Sequence, residues 1–227
     1  MRGAVLAVLL AAVAPAQSDF AHWMQAAPGR AQEVRAFEAY LHRAGVGGVL
    51  PLPPLLLNSS SWAACADAPY SLPPRALWPN IVPTLRFVRA RIVPALGPVA
   101  ALSGYRSPAL NKCSGGAPKS AHAQYFALDL TPLQFKDRGK MIAAVCALHA
   151  RYGPAAQAGL GFYSGMRFHI DTMGFRRWGA DFHGATSPCL ALAAKGWTRS
   201  AREPVRGGAS RCPAGSRRDR SPCRPWR

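Results

Sequence analysis

Two short runs far apart in the chain, SAHAQYFALDL at residues 120–130 and RFHIDT at residues 167–172, place demands on any fold the sequence can adopt. The first carries His122 and Asp129 across a turn into a strand, and the second carries His169 and Asp171 on a strand of its own. Two imidazoles and one carboxylate form a donor set suited to a zinc ion that keeps a coordination position free for water. Three ligands held at about 2 Å from one ion require rigid elements. His122, Asp129 and His169 must therefore converge, and the strands that bear them must lie close together. The pattern points to a metallohydrolase.

The local sequence supports such strands. Phe126 to Thr131 alternates so that Ala127 and Asp129 share one face while Phe126, Leu128 and Leu130 pack behind it. Leu160 to Tyr163 and Arg167 to Thr172 read as a hairpin turning at Ser164-Gly165, with Arg167, His169 and Asp171 on one face. Val99 to Ser103 reads as a further strand entering a turn at Gly104.

Between these runs lie helical patterns. Ala31 to Arg43 spaces Val34, Phe37, Tyr40 and Leu41 helically before Gly45 and Gly47. Residues 45–61 are too rich in Pro and Gly for a regular element and read as a wrapping segment; Asn58-Ser59-Ser60 within it fits a glycosylation acceptor. Pro83 to Leu96 carries an apolar stripe of Leu85, Val88, Ile92 and Val93, with Arg86, Arg89 and Arg91 turned away, Pro83 in the first turn, and Pro94 and Gly97 at the exit. Pro108 to Lys112 reads as a short helix, and Asp137 to Tyr152 as a longer one ending at Gly153. Together these predict an α+β domain with helices packed on a small, mainly antiparallel sheet.

Arg2, the apolar run Ala4 to Val13 and Ala14-Pro15-Ala16 together read as a secretory signal peptide, so the protein is expected to be exported to a periplasm, cell wall or extracellular space. Removing it leaves roughly 210 residues, enough for one domain with a sizeable core, and the expectation is a monomer. Six cysteines without a CxxC pair argue against a cysteine-rich zinc module. In an exported chain they suggest disulfides, with Cys65, Cys113 and Cys189 in loop-like contexts, whereas Cys146 on an apolar helix face also reads as a small buried hydrophobe. The net charge is +18, of which residues 195–227 supply ten Lys or Arg against two Asp or Glu. Such a tail cannot build a core, reads as disordered, and could draw the protein to an anionic wall or membrane surface. No aromatic-basic stacking motif points to specific nucleic-acid binding.

SGYRSPALNKCSGGAPKSAHAQYFALDL and GLGFYSGMRFHIDTMGFRRW resemble the zinc D-Ala-D-Ala carboxypeptidase and dipeptidase family, whose fold is shared with the Hedgehog signalling domain. The family pattern SxHxxGxxxD matches at Ser120, His122 and Asp129, and the later HxD at His169 and Asp171, over roughly residues 80–190. The resemblance implies a zinc peptidase acting on peptidoglycan peptides, with zinc on His122, Asp129 and His169. It divides the chain into the leader (1–16), an N-terminal helix and Pro-rich segment (17–80), the peptidase domain (81–195) and the basic tail (196–227). Arg106 matches an arginine beside the metal that could hold a substrate carboxylate or stabilise an oxyanion. Ser120 could bind substrate or hold its loop.

Two departures stand out. Many members carry Glu or His as base three residues before the last histidine, where this chain has Met166. Asp171 is the substitute candidate, or else it orients a ligand imidazole, and His183 is held in reserve. Tyr125-Phe126 replaces the family's Gly and polar residue and is expected to narrow the rim. The alternative to a peptidase is a noncatalytic zinc-containing module of the same fold that binds wall or a partner protein.

Overall fold

The computed structural model describes residues 14–194 and Gly196, so the predicted leader up to Val13 and almost all of the basic tail lie outside the described residues. α1 (Ala14–Gln25) is followed by α2 (Arg30–Arg43), whose Val34, Phe37 and Leu41 are buried as their spacing predicts. Glu33 stands in the first turn of α2 and His42 and Arg43 in the last, matching the helix dipole at both ends. The Pro-rich stretch does hold a short helix, α3 (Leu52–Leu55), entered through prolines in its first turn. Asn58 is fully buried, its amide donating to the Ala68 carbonyl and the Ser71 hydroxyl. The folded chain therefore offers no glycosylation acceptor there.

The next helix begins earlier than its sequence suggests. α4 (Trp78–Phe87) starts with Pro79 in its first turn and takes Pro83 into its interior. It runs through a π turn (Val88–Ile92) directly into α5 (Val93–Leu96). Pro94 does not end the helix, because the wide turn just before it loosens the ladder where a proline has no N–H to give. The boundary drawn between residues 80 and 81 falls inside α4.

β1 (Val99–Ser103) leads to α6 (Pro108–Cys113), capped by the Ser107 hydroxyl, which accepts from the Leu110 N–H at 3.1 Å. β2 (Ala127–Pro132) is followed by α7 (Arg138–Ala156), capped by Asp137. α7 continues past Gly153 to a left-handed Gln157. Gly153 is there for space: a Cβ would meet Phe175 at 2.9 Å and His149 at 3.0 Å. β3 (Gly159–Phe162) and β4 (Phe168–Asp171) form the predicted antiparallel hairpin. β5 (Arg176–Trp178), which no alternation announced, pairs with β3 in parallel, and α8 (Pro188–Ala194) closes the described chain.

The sheet order is β1-β2-β4-β3-β5, antiparallel except at β3–β5, so the fold is α+β as expected. Leu128, Leu130, Phe168 and Ile170 point toward the helices and join Ile81, Leu85, Val88, Ile92, Met141 and Val145 in one core. That core also takes in Phe20, Trp23, Phe37 and Leu55 from the N-terminal segment. Two disulfides bind its edges, Cys65–Cys113 and Cys146–Cys189. Cys146 is thus bridged as well as buried, a correction to its reading as a simple apolar residue: its helix face lies against α8, which delivers Cys189. Each bridge closes a loop of 48 or 43 residues, worth about 4 kcal/mol in a chain-entropy account. Cys212 and Cys223 lie outside the described residues.

Candidate metal centre

The register of the central strands sets Asp129 of β2 directly opposite His169 of β4. Both side chains leave the sheet on the face away from the helices. His122 reaches them from the turn before β2. Its carbonyl accepts from the N–H groups of Arg106 and Tyr125, each at 3.2 Å, and its own N–H donates to the Ser120 hydroxyl at 3.3 Å. Ser120 thus braces the loop that presents His122.

Tyr125 stands where the motif has glycine and adopts the backbone glycine favours, at φ 58°. That conformation costs a tyrosine about 1–3 kcal/mol. It turns the ring into the core against Phe37 and Tyr105, where it is fully buried. Tyr125 therefore does not narrow the rim, contrary to expectation.

Three lone-pair atoms meet at the centre. His122 Nε2 lies 3.1 Å from His169 Nδ1 and 3.3 Å from Asp129 Oδ1, and His169 Nδ1 lies 3.1 Å from that same oxygen. Ligands held tetrahedrally at about 2.1 Å from one ion are about 3.4 Å apart, close to this triangle. The outer ring atoms fix the tautomers. His122 Nδ1 faces the Gly104 carbonyl at 2.7 Å and must donate to it, leaving Nε2 unprotonated toward the centre. His169 Nε2 faces Asp171 Oδ2 at 2.8 Å, which likewise turns the Nδ1 lone pair inward. A carboxylate oxygen and two imidazole lone pairs with no donor among them are completed by a cation, so these residues fit a metal ion.

Gly104 is part of that device. A Cβ on it would lie 2.7 Å from the Leu55 carbonyl oxygen, so only glycine lets its own carbonyl reach His122.

Around the triangle the charges are dense and paired. Asp129 Oδ2 accepts from Arg106 at 3.0 Å and Arg167 at 2.6 Å, and Oδ1 accepts from the Tyr163 hydroxyl at 3.0 Å. Burial alone would raise the Asp129 carboxyl, but the adjacent His122 and His169 rings hold it well below the usual carboxylate range. Burial lowers His122, against the attraction of Asp129. It also pushes the Tyr163 phenol up, and Asp129 adds to that shift.

The predicted site residues come together unequally. His122, Asp129 and His169 meet one another, and Arg106 joins them through the Asp129 carboxylate and the His122 carbonyl. Arg106 is almost wholly buried, its Nε and Nη2 donating to the Ser103 hydroxyl at 3.2 and 3.1 Å and its Nε also to the Asn58 carbonyl at 3.3 Å. Asp171 lies on the far side of the His169 ring and is saturated: Oδ1 accepts from the Met173 N–H and Arg176, and Oδ2 from Arg176 and His169. Met166 packs against the core. His183 is exposed, its backbone N–H donating to Asp181.

Sequence reasoning missed the aromatic wall. Trp178 of β5 packs 5.4 Å from the His169 ring and 5.2 Å from Tyr163, and exposed Phe182 rests on it at 5.4 Å. The available signal was Gly161, where a Cβ would overlap the Trp178 indole.

No significant match was found among curated proteins or solved structures. A family model described as Peptidase M15 matches residues 55–171, just over half of the chain, from α3 through both histidine motifs to Asp171. The matched segment carries all three converging ligands, and the chain belongs to the Peptidase M15 family, the zinc D-Ala-D-Ala carboxypeptidases.

Proposed function

We propose that this protein is an exported zinc metallopeptidase that hydrolyses peptide bonds in peptidoglycan stem peptides, as a D,D-carboxypeptidase or an endopeptidase. The observation that carries the reading is the triangle of inward lone pairs on His122, Asp129 and His169, with each ring locked by a partner on its outer nitrogen. Zinc held there supplies a Lewis acid that polarises a carbonyl and lowers the pKa of bound water. Arg106 and Arg167 both hold Asp129 Oδ2, which leaves Oδ1 turned to the centre. Arg106 Nη1 has no protein acceptor among the described residues and is the donor edge for a substrate carboxylate or a developing oxyanion. Asp171, saturated by four donors, is a positioning residue for His169 and not the base. The wall of Tyr163, Trp178 and Phe182 shields one side of the site from water.

Export draws support from the two disulfides, which persist in oxidising compartments. No helix among the described residues is long and apolar enough to cross a membrane. A role for the basic tail on an anionic wall, and a monomeric state, belong to the same proposal.

One observation favours a second reading, a noncatalytic zinc-containing module. Met166 occupies the base position, and the hydrogen-bond partners of the three ligands include no carboxylate or imidazole beyond the ligands themselves and Asp171. Digestion of purified peptidoglycan by the zinc-loaded protein, with and without chelator and read by mass spectrometry, decides between them. Chelator-sensitive release of D-alanine or loss of a crosslink supports the peptidase. An intact digest with zinc bound supports the module.

A further inference from the structure

Behind the sheet, on the layer that carries no part of the metal centre, α4, the π turn and α7 leave a solvent-open groove of about 420 Å³. Its floor is Pro83, Phe87, Ala90, Ala155 and Ala156, and its rim carries Arg86, Arg91 and Arg151 around Tyr152. Arg91 sits over the Tyr152 ring at 3.9 Å and Arg151 at 5.1 Å, so these two cations share one aromatic ring. Two guanidiniums that each lie so close to one ring are at most about 9 Å apart and repel one another. Among the described residues no carboxylate pairs with Arg86, Arg91 or Arg151. Arg86 gives one N–H to the Ala44 carbonyl at 3.2 Å and keeps the rest of its fork free of protein carboxylates. Arg86 and Arg91 are among the arginines that the helical pattern turns away from the core, and the metal centre uses none of the three.

We propose that this groove binds the backbone of a phosphodiester polymer, a chain of polyol units joined by phosphates. Phosphates sit among the three guanidiniums, whose planar forks match phosphate oxygens, and the carbon backbone lies along the apolar floor. Charge complementarity selects an anion, and the lining selects which one. A nucleic acid needs an open aromatic face for its bases, but the Tyr152 face is already covered by arginine. An acidic peptide is the competing anion, and polyglutamate stands for it in the titration below. A membrane surface calls for exposed apolar anchors, and the exposed large apolar side chains, Trp62, Leu102, Leu133, Phe175 and Phe182, are all outside the groove. A site on the layer opposite the metal centre can hold the protein on such a polymer while the centre stays open.

Isothermal titration of the full-length protein with poly(glycerol phosphate) oligomers, polyglutamate and anionic lipid vesicles tests this. The oligomers bind, and Arg91→Gln with Arg151→Gln weakens them by at least about tenfold through the loss of charge-assisted hydrogen bonds. Arg217→Gln with Arg218→Gln, which removes the same charge from the tail, changes binding by less than about twofold. Unchanged melting temperatures exclude misfolding, and hydrogen exchange in wild type slows at residues 86–91 and 148–156 when the oligomer is added. Equal losses in the two double variants, tighter binding of polyglutamate, binding to vesicles alone, or no binding would each overturn the proposal.

Discussion

The two faces of the central sheet are equally dry and chemically opposite. Toward the helices, β2 and β4 present Leu128, Leu130, Phe168 and Ile170, all at 0% exposure. On the other face the same two strands present Asp129, His169 and Asp171, at 0%, 5% and 0%. Apolar contacts hold the first face, and apolar side chains of similar volume are the replacements it tolerates best. The second face is held by named donors and acceptors in a paired network around Asp129 and Asp171, and it closes on three lone pairs. One strand alternation therefore builds a generic surface and a specific one at once, so neighbouring positions should fail in different ways.

The largest expected contrast is between His169 and Phe168. His169→Ala should abolish stoichiometric metal binding, read as metal per chain by mass spectrometry, in a protein that still folds around its apolar face. Phe168→Ala should cost about 3–5 kcal/mol in denaturant melts while the folded fraction keeps its metal. Metal loss in Phe168→Ala without unfolding, or full retention in His169→Ala, would show that the two faces are not separable.

Asp171→Asn sharpens the comparison within the polar face. The asparagine keeps the volume beside Gly159, where a Cβ would come within 2.2 Å of Asp171 Oδ2, but gives up the charge that steadies His169 and pairs with Arg176. Metal affinity should fall about 10–100-fold, measured by competition with a chromophoric chelator. An unchanged affinity would detach Asp171 from His169 orientation.

The smallest effect concerns His149 of α7, a buried histidine on the helical side. It stacks on Phe175 at 4.7 Å, and its Nε2 lies 2.8 Å from the Ala158 carbonyl. Burial holds its pKa below the ordinary 6.5. The native state keeps the ring neutral while the unfolded chain takes up a proton near 6.5, so protons favour unfolding. The stabilising contribution is complete above that value and declines as the pH falls below it. Thermal melts from pH 7.5 to 5.5 should show a shallower loss in His149→Gln than in wild type, and parallel curves would remove His149 from the account.

Much of this was legible in the sequence where one residue pattern met one physical demand. The ligand trio could be read because a metal tolerates few donor sets, and β2, β3 and β4 because buried strands alternate. β5 escaped because Arg176, Arg177 and Trp178 carry no alternation; the strand is held by its parallel pairing to β3 and by the Trp178 indole over Gly161. The run through Pro83 and Pro94 escaped because proline ordinarily ends a helix, and only tertiary packing sustains the π turn between them. Arg167 was placed on the correct face, but its bond to Asp129 depends on a strand register that spacing alone does not supply. Tyr163 was read as the end of a strand, and its hydroxyl becomes part of the centre only once the hairpin brings it over β2.

The two arginines on Asp129 bear on how the centre comes to be filled. Asp129 and Asp171 contribute two negative charges, while Arg106, Arg167 and Arg176 within bonding distance contribute three positive ones. An incoming dication therefore meets a pocket that already carries net positive charge behind nearly closed walls. Net charge therefore does not draw the ion in: affinity rests on the directed lone pairs of His122, Asp129 and His169, whose orientation the arginine pairs keep.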